Sequence, residues 1–111
     1  FHIISPSFPQ GYTHTFQSYV IRLSEKSPIS REILMTRLLQ NGISTRIGIK
    51  ACHLEPLYRK EKTTLLNTEL LVKTIITLPL YTTMTYEEQD RVINNIREIF
   101  VEKKGKYNGK K

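Results

Sequence analysis

Polar and apolar residues alternate over Thr15–Leu23. Tyr19, Ile21 and Leu23 fall on one side of an extended chain, and Ser18, Val20 and Arg22 on the other. Successive strand side chains point to opposite faces, and this run is rich in aromatic and β-branched residues, so it is read as the first strand. The period then changes. Leu34, Met35, Leu38 and Leu39 recur at three- and four-residue spacing, which places them on one stripe of a helix over Ser30–Asn41. Ser30, or Ser27 with Pro28, supplies its N-terminal cap. Gly42 ends the helix in a left-handed conformation that lets Ile43 fold back on Leu38. A second strand follows over Ser44–Lys50, with Thr45, Ile47 and Ile49 on one face.

Ala51–Thr64 carries Pro56 and several charges and reads as a connection. Asn67–Lys73 predicts a short helix capped by Asn67. Ile75–Leu78 predicts a third strand, which stops at Pro79 because proline cannot donate to a ladder. Thr85-Tyr86-Glu87-Glu88 is a capping box, with Thr85 accepting from the Glu88 amide while Glu88 reaches back. Val92, Ile93, Ile96, Ile99 and Phe100 carry helical spacing onward from it. The predicted fold is α+β, a short β-sheet covered by helices in the order β-α-β-α-β-α. Residues 1–12, rich in Pro, Ser and Gly, read as a linker from a preceding domain; 13–102 form the domain; 103–111 read as a disordered, lysine-rich tail.

Composition narrows the function classes. A chain of 111 residues fits one domain and leaves little room for a deep cofactor pocket beside its core. The net charge of +7 first suggests a nucleic-acid partner. Lys103–Lys111, however, holds five lysines and no acid, so the rest of the chain carries only about +2. A basic face across the domain is not indicated, and no nucleic-acid partner is expected. The apolar stretches are too short and interrupted for stable membrane insertion. The single cysteine, Cys52, excludes an intramolecular disulfide and fits a reducing, cytoplasmic setting. It is read as a buried or semi-buried small apolar side chain, with a thiol nucleophile beside His53 as the alternative. The first residue is Phe, and no signal peptide is visible, which suggests a fragment or a processed product.

The motifs of common chemistries are missing. The five glycines are scattered, with no phosphate-binding loop and no dinucleotide turn. No cysteine pair or paired-histidine spacing points to a metal, and no nucleophile elbow is present. The segment with the most chemistry is Gly42–Lys60, which puts His53 and Tyr58 on a loop just after a strand. Such a loop is a good place to hold a ligand, because His and Tyr both hydrogen-bond and Tyr also stacks. The alternative is a plain surface loop whose Tyr58 tucks onto the core.

Four stretches, in order, carry a family resemblance: Gly11–Leu23 (GYTHTFQSYVIRL), Arg31–Arg46 (REILMTRLLQNGISTR), His53–Tyr58 (HLEPLY) and Ile75–Phe100 (IITLPLYTTMTYEEQDRVINNIREIF). Over residues 10–100 the chain resembles the C-terminal small domain of the DegT/DnrJ/EryC1/StrS family of sugar aminotransferases, pyridoxal-phosphate enzymes of fold-type I, the aspartate-aminotransferase fold. The resemblance implies amino transfer, with glutamate the usual donor, to a nucleotide-linked keto-sugar for surface polysaccharide or glycan biosynthesis. It implies a homodimeric parent. It also implies that pyridoxal phosphate and its Schiff-base lysine belong to a large N-terminal domain, so this chain alone is expected to be inactive. His53 and Tyr58 match the loop that lines the sugar-nucleotide cleft, and Arg46, at the matching Thr-Arg, offers charge to a phosphate. Gly48-Ile49-Lys50 stands where many members are more aromatic, which leaves the sugar open. His14 is expected to pack by the first strand. A pyridoxal-phosphate sugar dehydratase of the same family and a stand-alone binding module remain alternative readings.

Overall fold

The structure is a computed structural model and describes residues 2–58 and 63–107. Four strands, β1 (Ile3–Ile4), β2 (Tyr19–Leu23), β3 (Arg46–Ile47) and β4 (Ile75–Leu78), are interspersed with helices α1 (Arg31–Gln40), α2 (Leu66–Thr74) and α3 (Tyr86–Tyr107). From β2 onward the order is the β-α-β-α-β-α expected. The strands form one sheet in the order β1-β2-β4-β3, antiparallel at every pairing.

The two central strands set the core. Ile21 pairs with Ile76 and Tyr19 with Leu78, so their side chains share a face. Onto that face pack Leu34 and Leu38 of α1 and Val92, Ile96, Ile99 and Phe100 of α3. Leu34, Leu38 and Ile76 are fully buried, and each such side chain contributes roughly 2–3 kcal/mol through removal from water. Leu39, read as part of the same stripe, is instead 64% exposed. At about 100° per residue it lies outside the arc that Leu34 and Leu38 bury.

The ends of the helices follow local chemistry. Ser30 caps α1, its hydroxyl accepting from the Ile33 amide at 3.4 Å. At the other end Gly42 has φ +74°, which lets the Gly42 amide reach the Leu39 carbonyl at 2.9 Å and the Ile43 amide reach the Leu38 carbonyl at 2.8 Å. Ile43 is thereby turned back into the core. The capping box of α3 closes both ways. The Thr85 amide donates to Glu88 Oε2 at 2.9 Å, and the Glu88 amide donates to Thr85 Oγ1 at 3.2 Å.

Several boundaries differ from expectation. Residues 1–12 are not simply a linker, because Ile3 and Ile4 pair with Leu23 and Arg22 as an edge strand. His2 also stacks on Phe100 with ring centroids 5.4 Å apart. The helix α3 continues to Tyr107, into the segment read as a disordered tail; 108–111 lie outside the described residues. The second strand was expected over Ser44–Lys50, yet only Arg46 and Ile47 join the sheet, opposite Thr77 and Ile76. Gly48 then passes so close to Ile75 that a Cβ there would lie 2.5 Å from its Cδ1. Among the described residues no helix is long and apolar enough to cross a membrane.

Candidate functional site

The connection from β3 to α2 carries the loop residues singled out by sequence. Ala51 is buried and anchors it. A single 3-10 turn over Cys52–Leu54 follows, closed by the Leu54 amide on the Ala51 carbonyl and the Glu55 amide on the Cys52 carbonyl, both at 3.0 Å. A further turn brings the Tyr58 amide to the Glu55 carbonyl at 3.0 Å. Cys52 is exposed, contrary to the packed position expected of it. Ala51 takes the inward position, and the tight turn rotates its neighbour outward.

His53 turns toward α2. Its Nε2 lies 3.2 Å from Glu69 Oε1, and its side chain is only 9% exposed. The same carboxylate oxygen accepts from the Leu65 amide at 3.2 Å. An ionised carboxylate only accepts hydrogen bonds, so the proton in the His53 contact sits on Nε2. These bonds, first His53 and then the Leu65 amide, hold Glu69 below the ordinary glutamate value of 4.5. Asn67 was expected to cap α2, but the cap position falls on Leu65, which has no side-chain acceptor. Glu69 satisfies that amide from inside the helix instead.

Tyr58 is 49% exposed at the end of the loop, so it is available to a ligand rather than tucked onto the core. Arg46 stands elsewhere, on β3, where it lines a cleft of about 360 Å3 at the end of the sheet. Neither His53 nor Tyr58 lines that cleft. The three predicted residues are thus divided between the loop and the sheet end. His14 is exposed in the stretch before β2 rather than packed on the strand, its Nδ1 accepting from the Phe16 amide at 2.8 Å. Glu69 was missed, because nothing in sequence links it to a histidine sixteen residues earlier. The only available signal was an acid in a first helical turn.

A pyridoxal-phosphate site needs a lysine beside an enclosed phosphate cradle. Among the described residues Lys26, Lys50 and Lys73 are all solvent-exposed, so these side chains do not fit such a site. Among the described residues no cluster of His, Cys, Asp or Glu is arranged to hold a metal.

Comparison with known proteins places the whole arrangement. The model of the DegT/DnrJ/EryC1/StrS aminotransferase family matches residues 2–97. The aminotransferase TlmJ from Streptoalloteichus hindustanus superposes with a TM-score of 0.76 at 22% identity, covering 87% of this chain and 26% of its own. A DegT DnrJ EryC1 StrS aminotransferase from Brucella abortus gives 0.74 at 25% identity, covering 89% and 26%. NtdA from Bacillus subtilis, solved with bound cofactor PMP, gives 0.73 at 26% identity, covering 89% and 23%. The chain therefore spans about a quarter of the length of the solved structures it matches.

Proposed function

Because the chain belongs to the DegT/DnrJ/EryC1/StrS aminotransferase family, we propose that it serves as the small domain of a pyridoxal-phosphate-dependent sugar aminotransferase. The observation that carries this reading is the family match over residues 2–97. The parent enzyme moves an amino group from glutamate to a nucleotide-linked keto-sugar, and works as a homodimer. The cofactor, when bound in the parent, supplies the electron sink for that transfer. This chain supplies a wall of the substrate cleft. His53, held through Nε2 by Glu69, orients its ring toward the bound sugar nucleotide, and Tyr58 offers a hydroxyl and a ring face from the same loop.

The test is a reconstituted parent enzyme carrying this chain as its C-terminal part. With glutamate and a nucleotide-linked keto-sugar it should release 2-oxoglutarate in step with amino-sugar. Substituting His53→Ala or Tyr58→Phe should raise KM for the sugar nucleotide more than for glutamate. A parent that converts the sugar without consuming an amino donor overturns the reading.

A further inference from the structure

Residues 5–18 join β1 to β2 with no helix or strand of their own. Among the described residues two hydrogen bonds form inside this loop. One closes a turn, the Tyr12 amide donating to the Pro9 carbonyl at 3.2 Å. The other is the Phe16 amide on His14 Nδ1 at 2.8 Å. Phe16 has φ +47°, the single non-glycine residue with left-handed backbone among those described. That conformation crowds Cβ against the following carbonyl oxygen, and a bulky side chain rarely takes it. A residue held there needs its surroundings to hold it, and the His14 bond acts on Phe16's own amide.

Around this bond four rings gather. The His14 and Phe16 centroids lie 4.4 Å apart, Phe8 meets both at 5.8 and 5.9 Å, and Phe16 stacks on Tyr19 of β2 at 6.0 Å. His14 is exposed, and so in large part are Phe8 and Phe16. Burial alone therefore does not pin the loop. Gln17 and Ser18, between Phe16 and β2, line the cleft beside Arg46. The turn at Phe16 sets where that wall of the cleft stands.

A backbone N–H can only donate, so Nδ1 of His14 is bare and the imidazole proton sits on Nε2. We propose that His14 is a proton-sensitive clasp and a positioning residue: with Nδ1 bare it locks Phe16 in its left-handed turn and fixes the Gln17–Ser18 wall, and when Nδ1 takes a proton it releases residues 8–18. Protonation turns the acceptor into a second donor facing the Phe16 N–H. Histidine is the side chain that makes this change between about pH 5 and 8. The loop is thus held above that interval and released as pH falls through it. The groups facing His14 are the Phe8 and Phe16 rings, which do not titrate. Tyr19, one ring further on, is a phenol, and phenols keep their proton over that interval. Among the described residues no carboxylate, lysine or arginine pairs with His14. The clasp operates in this chain by itself, whatever the parent transfers.

An NMR titration of the full chain from about pH 8 to about pH 5 decides this, reading the His14 ring nitrogens, the Phe8–Phe16 ring NOEs and the Phe16, Gln17 and Ser18 amides. As His14 takes its proton the NOEs should weaken severalfold, and the three amides should shift with the midpoint of the ring. His14→Asn should hold the loop at both ends of the range, because an asparagine carbonyl accepts from the amide two residues on and does not titrate. His14→Phe keeps a ring but removes the acceptor. It should weaken the NOEs at every pH, with the opening constant of the loop raised roughly 2- to 10-fold, the worth of one net hydrogen bond. His14 is exposed and outside the core, so both variants should leave the Ile21 and Ile76 amides in place. NOEs that survive protonation of His14 overturn the proposal. So does a loop in His14→Phe that matches the unsubstituted chain. A pH response of the same amides in His14→Asn also overturns it, by placing the source in His2 or His53.

Discussion

Glu69 joins two elements through one oxygen, the Leu65 amide at the start of α2 and His53 in the loop before it. Its lowered pKa means the fold favours its ionised form. The sign follows from linkage. The stabilisation is fully present above the ordinary value of 4.5 and is lost as pH falls through the depressed value in the folded chain. Glu69→Gln should therefore lower Tm at neutral pH, with the difference from the unsubstituted chain closing in acid below that value. A Tm difference that stays constant across thermal melts from pH 7 to pH 3 would rule the linkage out. In the parent enzyme the same substitution should shift the pH profile of sugar-nucleotide KM while leaving the glutamate KM in place, because it acts through His53. The sequence placed His53 and Tyr58 on one loop correctly, since a polar pair after a strand leaves a local trace. It did not reveal what holds His53. That contact joins residues sixteen positions apart through a turn whose geometry no local pattern encodes.

The capping box shows how local chemistry becomes element structure. Thr85 and Glu88 exchange bonds that satisfy two amides at the start of α3. Replacing Thr85 by Ala removes the acceptor for the Glu88 amide. It should cost about 1 kcal/mol of unfolding free energy, read as a lower urea midpoint with an unchanged m value. Thr82→Ala, an exposed change three positions earlier, should leave the midpoint in place. Elements whose signal is local were legible: α1 with its Ser30 and Gly42 ends, α3 with its box, and β4 over Ile75–Leu78. Those whose extent depends on a partner were not. The run Ser44–Lys50 has strand character throughout, but Gly48 meets Ile75 and the chain leaves the ladder there. Ile3 and Ile4 had β-branched character but too little length to stand out among prolines, and their strand exists only because Arg22 and Leu23 pair with them.

Across the whole molecule β4 is the strand on which the rest depends. It pairs with β2 on one side and β3 on the other, and Ile76 faces the helices with no exposed surface. Ile76→Ala should cost about 3 kcal/mol, a large share of the 5–15 kcal/mol typical of a domain. Ile47→Ala, its half-open neighbour across the ladder, should cost under about 1 kcal/mol. Equal losses in parallel urea titrations would contradict this placement of the core. The α+β class and the helix-covered sheet were readable from periodicity. The strand order was not, because β2 and β4 meet across more than fifty residues that carry no pairing signal.

The two border strands, β1 and β3, are each only two residues long. A long open border carries a row of unsatisfied amides and carbonyls onto which a strand from another molecule can be added. Here the row ends almost as soon as it begins. Leu57 and Leu66 still leave sticky side chains on the surface. Crowded solutions of this chain should therefore form clusters that disperse on dilution, rather than growing into ordered fibres.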